Sequence, residues 1–184
     1  DNGVVSAVDA YSTDTGIVMN GGHWLQIRGR VIALNITCDG DQGAVISADA
    51  IVMSGNASLV AEDVNATGGS SIVSGVNFTM RDNARFSGLN GWGSDAGMIG
   101  VNNAIIRDNA VVECENSYAD NCGACILANT VIADNALVRA TNMTSKSLGG
   151  ALCGGYPGQN ITVTGNASVL VQGSKSGLFG GAIL

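Results

Sequence analysis

One proline, three phenylalanines, three tyrosines and two tryptophans are all the rigid or bulky ring residues that the 184-residue chain contains, apart from one histidine. A core made from this chain must therefore be filled by Val, Ile, Leu, Met and Ala, while the 27 glycines point to a turn-rich β protein. Charge is scarce too. Charged residues make up 12%, with 8 Lys plus Arg against 15 Asp plus Glu, a net charge of −7. Phosphate binding needs a basic face, so this balance argues against a nucleic-acid partner. No apolar run reaches the roughly 18 residues that span a bilayer, so no membrane insertion by this segment is expected. The chain opens on Asp1 with neither an initiator Met nor a signal-peptide pattern, and is expected to be a mature or excerpted piece of something longer. P-loop, dinucleotide and nucleophile-elbow motifs are missing. A hydrophobic fraction of 46% excludes a disordered chain.

What the chain does have is a restated phrase. Asp108-Asn109-Ala110-Val111-Val112 recurs as Asp1-Asn2-Gly3-Val4-Val5, Asp82-Asn83-Ala84-Arg85-Phe86 and Asp134-Asn135-Ala136-Leu137-Val138. Gly55-Asn56-Ala57-Ser58-Leu59 and Gly165-Asn166-Ala167-Ser168-Val169 are variants, and Gly29-Arg30-Val31 is a degenerate copy. The anchors at 2, 30, 56, 83, 109, 135 and 166 repeat every 26 to 31 residues, the mark of a solenoid. Each period holds three short apolar segments with strand-like alternation. The first includes Ile17, Val45-Ile46, Ile72-Val73, Met98-Ile99, Cys125-Ile126, Leu152 and Ile183. The second places pairs such as Ile51 and Met53, or Phe78 and Met80, before the anchor, and the third runs on from it. Three strands in about 26–27 residues is the size of one parallel β-helix coil. The expected fold is therefore an all-β, right-handed parallel β-helix of six to seven coils, one domain over residues 1–184, on the order of 30 Å long. The anchor Asn follows Asp or Gly at a corner where left-handed geometry is needed, and stacked coils would align it into an amide ladder. Asn77, Asn103, Asn129 and Asn160 form a second such column.

Length variation concentrates between the third segment of one coil and the first of the next, and loops on one edge of a solenoid are its expected binding surface. Trp92, Asp95, Tyr118 and Asp120 lie there and form a possible ligand rim. Of seven Asn-x-Ser/Thr sequons, Asn35, Asn65 and Asn142 fall in these loops and Asn77 and Asn160 at a strand start, so these five are the candidate glycan acceptors. Asn56 and Asn166 read as ladder members. Five cysteines leave at least one thiol without an intrachain partner. Cys114 and Cys122 flank one inter-coil loop and are the expected disulfide, with Cys125 and Cys153 as buried thiols. No metal site or cofactor is expected, because Cys122 and Cys125 have no second ligand pair and no calcium loop is present. Arg28, Arg81 and Arg107 share one phase on an outer face, and His23 has no catalytic partners in sequence.

Ile161-Thr162-Val163-Thr164-Gly165-Asn166-Ala167-Ser168, followed by Gly180-Gly181-Ala182-Ile183, resembles the repeats of polymorphic outer-membrane autotransporter passengers. Gly149-Gly150-Ala151-Leu152 fits the same Gly-Gly-Ala motif. The other coils keep only a small residue there, and the aromatic of that family's second motif is mostly absent. The resemblance implies a β-helix at the cell surface and an adhesive role. Function is thus expected to be that of a non-catalytic extracellular structural or adhesive solenoid, N-glycosylated and stacked end to end on itself or on neighbouring solenoid segments. The alternatives are a carbohydrate-binding module that takes cell-surface glycans on the variable corner, or a pectate-lyase-like enzyme.

Overall fold

In the computed structural model, residues 3–13, 18–40, 45–154 and 160–184 are described. The first anchor at Asp1-Asn2, the first-segment residue Ile17 and Gly155-Tyr156-Pro157-Gly158, within the long 31-residue step between anchors 135 and 166, lie outside these residues. The described chain is all strand, turn and bend, wound into parallel sheets as a β-solenoid of about five turns plus its terminal levels.

The first sheet stacks Val4–Ser12, Arg30–Cys38, Ser58–Ala66, Arg85–Gly93, Val111–Glu115, Leu137–Thr141 and Ser168–Gln172, each paired in parallel with the next. The second stacks Met19–Asn20 and Trp24–Ile27, then Ile46–Met53, Val73–Met80, Ile99–Ile106 and Ile126–Ile132, then Leu152–Cys153 and Ile161–Val163. Its segmentation differs from the sequence reading. The first and second apolar segments of a coil run as one strand, bent where pairing passes from Ala48↔Gly75 to Ala50↔Asn77 and from Gly75↔Val101 to Asn77↔Asn103. The third segment also continues past a corner of its own, so Val64–Ala66 and Gly91–Gly93, which read as loop, are sheet.

Like stacks on like inside the coil. Val31, Leu59, Phe86, Val112 and Val138 form one fully buried column, and Ile27, Met53, Met80, Ile106 and Ile132 another. Each such side chain contributes about 1.5–3 kcal/mol by leaving water. Volume is balanced between levels, with Phe78 stacked on Ala104. A column of small residues two positions further along the strands of the first sheet, Ala33, Ala61, Gly88, Cys114 and Ala140, leaves room for larger ones across the core. Gly88 shows why: a Cβ there would lie 2.5 Å from the Met98 sulfur.

The corners are set by left-handed residues in two columns. Gly55, Asp82, Asp108, Asp134 and Gly165 have φ between 61° and 68°. The strained residue is thus the one before the anchor Asn, which corrects the sequence reading and explains why only Asp or Gly occupies it. Asp9, Asn35, Asp63, Asn90, Asn116 and Asn142 form the second column, with φ of 52–55°.

Candidate functional site

A polar scaffold tracks the axis outside the core, and it determines which side chains remain available. Asn83 donates to Asn56, Asn109 to Asn83, Asn135 to Asn109 and Asn166 to Asn135, at 3.3–3.4 Å. The second expected ladder is also present: Asn103 donates to Asn77 and Asn129 to Asn103, at 3.1 and 3.2 Å. Between them runs a carboxylate column. Asp82 Oδ2 accepts from the Gly55 amide at 2.8 Å, Asp108 Oδ2 from the Asp82 amide at 3.0 Å, and Asp134 Oδ2 from the Asp108 amide at 3.3 Å. Each carboxylate thereby caps the corner of the preceding coil.

The outer face of the first sheet carries one continuous column past its second corner. Tyr11, Thr37, Asn65, Trp92, Tyr118, Thr144 and Lys175 stand in register on consecutive coils. Strand spacing places the Trp92 and Tyr118 backbones about 4.8 Å apart, close enough for their half-buried rings to form one platform. The Tyr118 hydroxyl donates to Asp120 Oδ1 at 3.2 Å, and Lys146 Nζ lies 3.8 Å from the same oxygen. Lower on the column the Tyr11 hydroxyl donates to Asp39 Oδ2 at 2.6 Å. That hydrogen bond, and then the Asp39 charge, push the Tyr11 pKa above the ordinary tyrosine value.

Tyr118 and Asp120 therefore meet with Trp92 in register beside Tyr118, whereas Asp95 turns away. It borders an open groove of about 580 Å³ over the second sheet, with Asn20, His23, Ser47, Asp49 and Ser74. His23 is exposed on the rim of that groove, and its Nδ1 lies 2.6 Å from Asp49 Oδ2. Among the described residues no three His, Cys, Asp or Glu side chains converge as metal ligands. Arg81 and Arg107 sit on adjacent coils, and the Arg81 Nε is buried without a hydrogen-bond partner.

The candidate glycan acceptors separate into two kinds. Asn35 and Asn142 are left-handed corner residues whose amide nitrogens donate to Asp9 at 2.6 Å and to Asn116 at 3.0 Å. The Asn77 side-chain oxygen accepts from Asn103, and the Asn160 backbone amide donates to Asn129. Asn65 is instead exposed on the outer column, with Thr37 and Trp92 as its register neighbours.

The disulfide joins Cys114 to Cys125, not to Cys122, with the two Cα atoms 5.7 Å apart. Cys114 belongs to the inward small-residue column, stacked on Gly88, and Cys125 follows Met98 on the opposite wall. One level below, the Met98 sulfur reaches across to Gly88, so the bond spans the same two walls. Cys122 lies in the turn between them and faces the next level.

No family model, curated protein or solved structure matches this chain. The outer column and the corner network thus stand on their geometry alone. The second corner column was missed from sequence although its signal was available: Asp63, Asn90, Asn116 and Asn142 each lie seven residues after an anchor Asn. The Cys114 position follows likewise from inward residues five after the anchor, Ala61, Gly88 and Ala140.

Proposed function

We propose that this chain is a non-catalytic structural or adhesive segment of an extracellular surface fibre, built by axial stacking of solenoid levels. One observation carries the reading: the terminal levels repeat the interior pattern, and their outward edges match each other. Position by position, Val4 corresponds to Arg30, Ser58, Arg85, Val111, Leu137 and Ser168. A further level set on Ser168–Gln172 would therefore align its Val4 equivalent with Ser168 and bury Val169 and Val171 as interior levels do. Val4, Val5, Val8 and Tyr11 at one end, and Leu170, Phe179 and Leu184 at the other, are exposed and apolar. Parallel edges of this kind invite another strand, from a neighbouring segment or a second copy. The Gly-Gly-Ala motifs of two coils support a likeness to autotransporter passengers, and with it the surface location.

Negative-stain electron microscopy of native material, with intact mass on the same sample, tests this. Filaments with an axial repeat on the order of 30 Å are expected, and Val169→Lys should shorten or abolish them. Discrete monomers at every concentration would refute stacking of copies. In a glycosylating host the mass should exceed the bare 18.5 kDa, with Asn65 the preferred acceptor because its exposed amide lies outside the corner ladders. Loss of one glycan mass in Asn65→Gln would support that choice.

A second reading, a carbohydrate-binding module, is favoured by the Trp92–Tyr118 platform beside Asp120. Aromatic faces stack on sugar rings while a carboxylate accepts from hydroxyls. Saturable binding of a glycan, abolished by Trp92→Ala, would favour this reading over the purely structural one.

A further inference from the structure

We propose that Cys122 and Cys153 form a second disulfide, one that joins consecutive coils where the Cys114–Cys125 bond braces a single coil. Cys122 bridges in parallel to Leu148 on the next level, and Leu127 pairs with Cys153. The two cysteines thus occupy diagonal corners of a small quadrilateral across one level step. The intervening backbone closes that quadrilateral: the Gly123 amide donates to the Gly149 carbonyl at 3.0 Å, which seats Gly149 over the residue following Cys122. A Cβ built on Gly149 would fall 2.9 Å from the Cys153 Cβ, so the Cys153 side chain fills the space beside Gly149 and above Gly123. Both cysteines are buried, at 3% and 1% exposure.

Cys38 is ruled out as a partner for either. Its column runs Cys38, Ala66, Gly93, Ala119, three level steps or about 14 Å from the level of Cys122, beyond the roughly 7 Å Cα separation that a disulfide spans. Five cysteines then resolve into two bonds and one thiol. The structure already places one disulfide, Cys114–Cys125, in this chain, and a small-molecule disulfide able to form that bond is of the right class to oxidise the second pair.

Bond formation is a thiol–disulfide exchange with a small-molecule disulfide, RSSR. One cysteine thiolate attacks RSSR and expels RS⁻, leaving a mixed disulfide. The other cysteine thiolate then attacks the protein-side sulfur and expels the second RS⁻. The two thiol protons end on the two RS⁻ ions; the cysteines are oxidised and RSSR is reduced to two RSH. The neighbouring Cys153 sulfur, and then burial, hold the Cys122 thiol protonated far above its ordinary range once the coils have closed. Exchange is therefore fast while the turn is open and slow afterwards, which places the step during folding.

The full chain, denatured and reduced, is refolded with reduced and oxidised glutathione, then denatured without reductant in N-ethylmaleimide for intact-mass and peptide mapping. One maleimide per chain, on Cys38, and a cross-linked Cys122–Cys153 peptide are expected. Cys122→Ser should raise the count to two, on Cys38 and Cys153. Three maleimides on the wild-type chain, a glutathione adduct on Cys122 or Cys153, or a cross-link from either to any other cysteine would overturn the proposal. The wild-type mapping decides the question even if the variant does not refold.

Discussion

Asp108 tests whether the corners are held by backbone geometry, by hydrogen bonding or by both. Its φ is 61°, and its Oδ2 accepts the Asp82 amide at 3.0 Å. In Asp108→Ala the left-handed conformation costs about 1–2 kcal/mol, and the lost bond about 0.5–1.5 kcal/mol. The variant should be less stable by about 2–3 kcal/mol, or roughly 4–12 °C in melting temperature for a chain of this size. Asp108→Gly removes the steric strain but loses the same bond and gains freedom in the unfolded chain, for about 1–2 kcal/mol. Gly55 and Gly165 occupy the same corner, so the chain already tolerates this solution. Asp108→Asn tolerates the left-handed region, keeps an acceptor oxygen and removes one charge from between Asp82 and Asp134, so it should lie within about 0.5 kcal/mol of wild type. The expected order of stability is Asn, then Gly, then Ala, read by thermal and urea unfolding monitored by circular dichroism. An Ala variant as stable as the Asn variant would show that neither the positive φ nor the carboxylate cap matters, and the account of the corners would fail.

Three other outcomes follow from the same structure. Replacing both Cys114 and Cys125 by Ala reopens an 11-residue separation and should cost about 3 kcal/mol by loop entropy, whereas Cys122→Ala should leave the Cys114–Cys125 cross-link intact in non-reducing peptide maps. Gly88→Val drives two methyl groups towards the Met98 sulfur and should destabilise by about 1–3 kcal/mol in urea unfolding, with partial rescue by Met98→Ala. Because the Tyr11 pKa is raised in the folded state, its tie to Asp39 contributes fully below the ordinary tyrosine pKa of about 10 and is lost as pH rises through the higher folded value. Ultraviolet titration should show one tyrosine ionising late, and Asp39→Asn should bring it back to the ordinary range.

Much of the architecture could be read directly because a solenoid repeats each structural requirement at a fixed interval. Asn83, Asn109 and Asn135 recur at the anchor because three coils need the same corner, and the ladders formed where the repeat placed them. The parts that escaped were those carried by a single coil or hidden under variable composition. Cys114 and Cys125 are an isolated pair across the core, and proximity along the chain favoured Cys122 instead. Asn142 sits in a sequon within a length-variable stretch, which hides the seven-residue spacing from its anchor that it shares with Asp63, Asn90 and Asn116, while Asn35 follows its degenerate anchor by only five residues. Asp95 lies three residues after Trp92, but the chain turns between them and sends the two to different faces.

The amide ladders and strand pairings all point along the rod, while the covalent chain runs around it. Tension applied along the axis therefore loads one level junction after another in series, and the rod is only as strong as its weakest junction. Between Ile126–Ile132 and the level above it, pairing is split into Leu152–Cys153 and Ile161–Val163, with five paired positions among the described residues where the junction between Val73–Met80 and Ile99–Ile106 has seven. That step is also the one the proposed Cys122–Cys153 bond crosses, so a pulled rod should part there readily when reduced and resist there once the bond has formed. The mechanical limit of the reduced segment is thus set locally, and adding well-paired levels elsewhere would lengthen the rod without strengthening it, whereas one covalent bond at that step would.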